Sequence, residues 1–423
     1  MRKSILILSF VFTVTLPYAC ASGEPNETNS FLALRDYLGY AESHNAGLKS
    51  SEQQWQTAIE QIPQAKALPD PKINYGYYTR QSDMQMRQMA GVMQEFPWFG
   101  KIDARTETAI KEASAAQKTY EVKRLALFKE VKEGFYEFAY LAAAINIAKE
   151  NLELMKHFEE VAQIMHMTAE ASHPDVIRAQ VETAKLEDVL RGLGQLREPT
   201  VSRLTTALNL PADTNLPWPK TGEFNAVELD YQQLVNILRQ RNPQLAGLNF
   251  EAMAAESKIT LAEKNFYPDI GVGVEWSQFD KSGGNSGHDA VALVFQMNLP
   301  LWRDSYSAGE RQARAQKVSI EQEKIDMENA LLTKASQAHY EYRDSIRKIR
   351  LYQDTLIPKG RELLRASEAA YRQGTIDFLS LIDAQRMLLE YHLSLQRAIA
   401  NNQQKLAELE MLAGTELEIK KQN

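Results

Sequence analysis

The sequence predicts a mainly α-helical chain that carries paired strands of the membrane β-barrel type, with this architecture written twice. Three observations support that. Short runs recur in the same order about two hundred residues apart: "HNAGL" (44–48) with "RNPQL" (241–245), Pro71 with Pro268, Phe96-Pro97 with Leu299-Pro300, "FYEF" (135–138) with "HYEY" (339–342), and "DVIRAQ" (175–180) with "SLIDAQ" (380–385). A period-2 alternation puts Ile270, Val272, Val274 and Trp276 on one face and Gly271, Gly273, Glu275 and Ser277 on the other. Finally, from Lys101 to Ala171 there is no proline and only one glycine, Gly134.

The first segment reads as a leader. Arg2 and Lys3 precede an apolar run from Ile5 to about Leu16, followed by small residues, and residues 1–21 are expected to form a signal peptide. The run is shorter than the roughly 20 residues of a membrane-spanning helix. Cys20, the only cysteine, is either removed with the leader or lipid-modified, as in bacterial lipoproteins; Pro17 departs from the Leu usual three residues before such a cysteine. The formal charge of −7 suggests no basic face for nucleic acid.

The first repeat is expected over 31–210 and the second over 227–414, with a connection at 211–226 and a tail at 415–423. Each opens with a helical stretch, about 31–66 and 228–265, that stops near proline. A hairpin follows at about 71–97 and 268–300. In the second, Val291, Leu293, Phe295, Met297 and Leu299 share the return strand's apolar face. All the remaining sequence reads as long helix, so the apolar face has no partner inside the chain. Lipid is the alternative, and 9–11 residues per strand suffice to span it.

Long helices are expected at 101–171 and 303–373. About 70 residues reach roughly 105 Å, too long for a compact domain. Phe128, Val131, Phe135, Phe138, Ala142, Ile145 and Leu152 form an a/d seam, matched by Leu332, Ala335, His339, Tyr342, Ile346, Ile349 and Leu356. Pro358 should kink the second helix. Return helices are expected at 174–209 and 376–412.

This layout, with the run "YRQGTIDFLSLIDAQ" (371–385), resembles the TolC-like outer membrane factors, the exit ducts of tripartite efflux pumps and of type I secretion. "QEFPWFGK" (94–101) is especially similar to the branch serving heavy-metal pumps. The resemblance implies a homotrimer whose twelve strands close one barrel in outer-membrane lipid, above a periplasmic α-helical barrel. It implies a periplasmic adaptor and an inner-membrane transporter as partners, and neither a cofactor nor catalytic residues. It implies a gate at the helix tips: Tyr371 at the gate tyrosine, Asp175 at the aspartate that accepts its bond, and Asp383 in an acidic ring, with Asp377 a further candidate.

From the residues alone, Asp175 also reads as a helix N-terminal acid and Tyr371 as a packing aromatic. Pro97, Trp98, Pro300 and Trp302 mark the joints between strand and long helix, and the tryptophans also read as packing under the barrel. Met165, His166 and Met167 are soft-metal ligand types that read equally as filler and surface. The competing reading of the chain is a periplasmic coiled-coil adaptor or scaffold. The absence of convergent polar motifs speaks against an enzyme.

Overall fold

The computed structural model describes residues 31–79, 86–168, 172–220, 224, 228–279 and 288–417. The expected leader with Cys20, and residues 418–423 of the expected tail, lie outside the described residues.

The matched motifs "HNAGL" and "RNPQL" have a physical cause in their asparagines. Helix α1 (Leu34–His44) ends and α2 (Ala46–Lys66) begins at Asn45, whose side chain accepts the Leu48 N–H at 2.9 Å. Its amide also donates to the Ala207 carbonyl at 2.9 Å. Asn242 acts likewise in the second copy. It caps α7 (Pro243–Lys264), which follows α6 (Tyr231–Arg241), by accepting from Gln244 and Leu245, and it donates to the Leu412 carbonyl at 2.9 Å. Each asparagine thus caps a helix start and staples the end of its own repeat to its beginning.

Strands β1 (Lys72–Tyr77), β2 (Met86–Phe96), β3 (Ile270–Phe279) and β4 (Ala290–Met297) form one antiparallel sheet in the order β1-β2-β3-β4. Small residues line one face because neighbouring strands crowd it. A Cβ on Gly273 would lie 2.7 Å from the Val92 carbonyl. The other face carries Ile73, Val92, Val274 and Leu293 in one cross-strand row, all exposed, Ile73 by 78% and Leu293 by 72%. Among the described residues no helix is long and apolar enough to cross a membrane.

The pairing revises one anchor of the internal match. Ile73 faces Val92 and Tyr75 faces Ala90, while Val272 faces Phe295 and Val274 faces Leu293. The hairpins coincide in register when Pro69-Asp70 is set on Pro268-Asp269, 199 positions on, and Phe96-Pro97 on Leu299-Pro300, 203 positions on. Pro71 is therefore not the counterpart of Pro268.

Helix α3 (Lys101–Met167) is continuous. The return segment expected at 174–209 is instead two helices, α4 (His173–Gln195) and α5 (Arg197–Leu208). Pro199 explains the break, because its ring excludes the Gln195 carbonyl and it has no N–H to donate. The second long helix is also not continuous. Helix α8 (Arg303–Arg350) passes through a π-helical turn, Leu351–Leu356, into α9 (Ile357–Arg372). Pro358 lies in the first turn of α9, and the widened π-turn absorbs its missing hydrogen bond without ending the rod. Helix α10 (Phe378–Ala413) returns along it. The seams drift from the strict heptad: Leu331 is buried in place of Leu332, and Leu141 and Ala144 in place of Ala142. A straight helix of 3.6 residues per turn must drift that way.

The joint between sheet and helix is built on a residue the motifs did not reveal. Asp269, just before β3, accepts the Trp98 N–H at 2.8 Å and the Lys101 ammonium at 2.7 Å. Lys101 also donates to the Tyr267 carbonyl at 3.0 Å, and Asn298 donates to Asp269 at 3.3 Å. The Trp98 indole stacks on Tyr267 with ring centroids 5.3 Å apart. Gly100 takes φ 82°, a left-handed turn that Pro97-Trp98 lead into and that starts α3. In the second copy Pro300 leads to Trp302, which is 80% exposed.

Burial pushes the Asp269 carboxyl upward, but Lys101, the Trp98 N–H and Asn298 outweigh it and hold it below the usual carboxylate range. Its contribution is therefore present above about pH 4 and is lost as pH falls through the lowered value. Thermal unfolding in detergent should show a loss of stability as pH falls below about 4 that Asp269→Asn lacks. Lys101→Ala should cost on the order of 2 kcal/mol, because it strands a half-buried carboxylate. Asn242→Ala should cost about 2 kcal/mol, from a lost cap and a lost staple, and Asn45→Ala, at a less buried site, should cost less.

Candidate functional site: the helical tip

Both helical hairpins turn at the same end of the molecule, and their apolar sides form one core. Met155, Phe158, Ala162 and Met165 of α3 and Val176, Ala179 and Leu186 of α4 pack with Leu364 and Tyr371 of α9 and Phe378, Leu381 and Ile382 of α10. The two copies are thus one body at the tip.

Each return helix is started by a serine–aspartate pair, with the order reversed between copies. Asp175, three residues past Ser172, accepts the Ser172 N–H at 3.2 Å and its hydroxyl at 2.6 Å. Asp377 accepts the Ser380 N–H at 3.0 Å and its hydroxyl at 2.6 Å. These carboxylates complement the positive ends of α4 and α10. The Ser380 contacts hold the exposed Asp377 carboxyl below its ordinary range.

Tyr371 is 4% exposed, with its ring 5.2 Å from Phe378. Its hydroxyl has no hydrogen-bond partner among the described residues. Burial, and after it the charge of Asp175, push the phenol above its ordinary pKa. Tyr371 and Asp175 are therefore near enough to feel each other, but the expected bond between them is not made within the chain. Asp175 is engaged by Ser172 and, at 3.3 Å, by Arg178.

Asp383 lies one turn into α10, with its side chain half exposed and 3.3 Å from Arg386. Arg386 carries the tie the sequence did not reveal: it grips both carboxylate oxygens of Glu182 on α4, one at 3.0 Å. Lys185 adds a bond at 2.8 Å. Burial raises the Glu182 carboxyl, but these cations carry it below the ordinary range. Gln385 is buried beside the tie and donates to Asn151 of α3. The pair spans 204 positions, so nothing local announces it; the one signal was a glutamate interrupting the greasy face of a return helix.

The soft-metal candidates do not converge. Met165 points into the core and Met167 is exposed, while His166 lies with its ring 5.4 Å from that of His173. Among the described residues, no group of three or more His, Cys, Asp or Glu side chains is placed to hold a metal ion.

Comparison with known proteins places these features in a family. The outer membrane efflux protein family matches residues 38–208 and 234–415. The chain is 23% identical over 315 residues to the probable efflux pump outer membrane protein TtgC of Pseudomonas putida, covering 70% of this chain and 61% of that protein. It is 21% identical to the cobalt-zinc-cadmium resistance protein CzcC of Cupriavidus metallidurans, with 86% of each covered. The fold is similar to that of the open-state MtrE outer membrane channel of Neisseria gonorrhoeae, with a TM-score of 0.74, 17% identity, and 92% of this chain and 91% of that one covered. A match over two successive stretches that take in both hairpins, both long helices and both return helices shows that this chain belongs to the outer membrane efflux protein family.

Proposed function

We propose that the chain is one third of an outer-membrane exit duct that passes small toxic compounds or metal ions out of the periplasm. The observation that carries this reading is an open-edged sheet with an exposed apolar face, mounted on helices that run about 100 Å away from it. Three copies supply twelve strands, enough to close a barrel in outer-membrane lipid. The helices extend the passage through the periplasm, where a periplasmic adaptor and an inner-membrane transporter complete the pump. Efflux needs no bond chemistry, and the family is one of channel proteins, not of enzymes.

The tip is the gate in this reading. Glu182–Arg386 and the shared core hold the two hairpins of one chain together, while the carboxylates of Asp383 from three chains gather near the axis and attract cations. The Tyr371 hydroxyl and Asp175 are poised as a second latch, made or broken as the hairpins slide. Cargo is sought among the classes named for relatives, toluene for one and cobalt, zinc and cadmium for another. A deletion strain complemented with this chain and challenged with metals and with organic toxicants separates them: restored tolerance to one class assigns the cargo, and restoration of neither overturns the efflux reading.

Gating has its own measurement. In planar bilayers Arg386→Ala should raise single-channel conductance several-fold, and Asp175→Ala with Tyr371→Phe should add to it. Asp383→Ala should weaken block by multivalent cations without opening the channel. Unchanged conductance and block would remove the gate from this tip.

A further inference from the structure

Midway along α3, the two copies leave a hollow between them. A cavity of about 590 Å³ lies between α3, α10, the start of α1 and the connection that follows α5. It exists because facing positions of the two long helices are alanines, Ala139 and Ala143 on α3 and Ala400 on α10. The repeat does not require this. The offset of 204 that sets Phe135 on His339 carries Ala139 and Ala143 to Arg343 and Arg347, side chains that would fill such a space. The walls are apolar and aromatic, with Tyr136, Phe224 and Ile399, and among the described residues no aspartate or glutamate lines them. Two exposed cations, Arg35 and Lys220, stand at the margin. The Lys220 N–H donates to the Leu32 carbonyl at 3.0 Å, which brings the connection beside the start of α1. Among the described residues neither cationic side chain has a hydrogen-bond or ion-pair partner, and the Tyr136 hydroxyl and the amides of Gln396 and Gln403 are likewise unengaged. Burial, and after it the charge of Glu410, push the Tyr136 phenol above its ordinary pKa, so it stays a donor. Glu410 itself is held by Lys132 at 2.7 Å.

The geometry points to a binding site for an amphipathic organic anion, an apolar ring or chain that carries one carboxylate, sulfonate or phosphate head. The head lies between Arg35 and Lys220, and the body lies against Tyr136 and Phe224 over the alanine floor. Both the volume and the balance of apolar wall with a few polar groups are those of small-molecule pockets. Charge sets the sign of the ligand, because two unpaired cations with no carboxylate on the lining attract an anion and repel a cation. The aromatic wall sets its nature, because an inorganic ion would leave that wall wet. Gln396 and Gln403 lie on the same face of α10 and can turn either an N–H or a carbonyl to polar atoms of the body. A ligand here touches α3 of one copy and α10 of the other, and so bridges the two halves of the chain. It sits roughly 40 Å from the tip, measured along α3 at 1.5 Å per residue. The site is thus separate from the proposed gate and needs neither the trimer nor the efflux reading. An acyl-chain acid and an aromatic acid share this chemistry, and the test separates them.

Isothermal titration calorimetry on the full chain in a neutral maltoside detergent tests the site. The probes are 1-naphthalenesulfonate, octanoate and, as the cationic counterpart, 1-naphthylmethylammonium, each with empty micelles as the blank. The expected result is one anion bound per chain and no binding of the ammonium. Naphthalenesulfonate alone assigns an aromatic ligand, and octanoate bound as tightly or more tightly assigns an acyl one; either supports the site. Arg35→Glu and Lys220→Glu should each weaken binding roughly tenfold, and Tyr136→Phe should weaken it about threefold. Ala143→Arg, which places the second copy's side chain in the hollow, should abolish it. The two charge reversals lie on exposed, unpaired side chains and carry the test if Ala143→Arg does not fold. No heat beyond that of empty micelles, equal binding of the ammonium, or binding indifferent to both charge reversals overturns the site. A cavity already filled by another part of the chain or by a partner copy gives the first of these results. Tolerance of metals or toxicants plays no part in the readout, so the duct can fail while the site stands, and the reverse.

Discussion

The backbone of a β-sheet must have every N–H and C=O engaged, and this chain leaves two edges unengaged. Among the described residues, the outer edges of β1 and β4 have no strand beside them. Next to apolar side chains, where water is scarce, each unpaired group costs several kcal/mol. The exposed row of Ile73, Val92, Val274 and Leu293 compounds the problem, because it is as badly placed in water as the edges are in lipid. In the proposed duct, strands of further copies would engage the edges and lipid would cover the row. Glycines on the crowded face let the sheet curve, and the Asp269 joint fixes where the first long helix leaves it.

Helices this long also have to be kept from sliding along one another. Apolar seams resist separation but tolerate slippage by a turn. Polar ties between α3 and α10 supply the missing axial register. Lys132 meets Glu410 at 2.7 Å; Arg397 grips Glu137 at 2.7 and 3.0 Å while lying over the Tyr140 ring; Gln385 meets Asn151. Partly desolvated pairs of this kind add little net stability but penalise misalignment heavily. Since α3 belongs to one copy and α10 to the other, the ladder joins the two halves, and Glu182–Arg386 continues it to the tip.

What could be read from the sequence was whatever is local or repeated. Period-2 alternation at 270–276 coincides with β3, and proline-free length with α3. The asparagines of "HNAGL" and "RNPQL" stood out because each copy needs the same cap. Pairings far apart in the chain stayed hidden: Lys101 with Asp269 and Glu182 with Arg386 join residues that only the fold brings together. Pro71 was a misleading anchor because two prolines flank Asp70, and only the strand register shows which one corresponds to Pro268. The π-turn at Leu351–Leu356 has no sequence mark because its residues are ordinary helix formers, and Pro199 sits inside a stretch that otherwise reads as one helix. At the tip, Asp175 and Tyr371 share a neighbourhood, but a serine three residues before the aspartate is a nearer donor than the phenol.

The asparagine staples have a consequence for how such a chain could arise. Asn45 bonds to the end of α5 and Asn242 to the end of α10, so the last turn of each repeat lies against the junction of its own first two helices. A gene segment encoding such a unit can be copied in tandem without either copy surrendering its end contacts to the other. The spacer between them is anchored to the first copy, with Leu216 buried in its core and Trp218 stacked on Phe138. Ancestry by duplication is then the simplest history that the hydrogen bonds allow, and divergence could begin at once in strands and tips while the staples kept both copies folded.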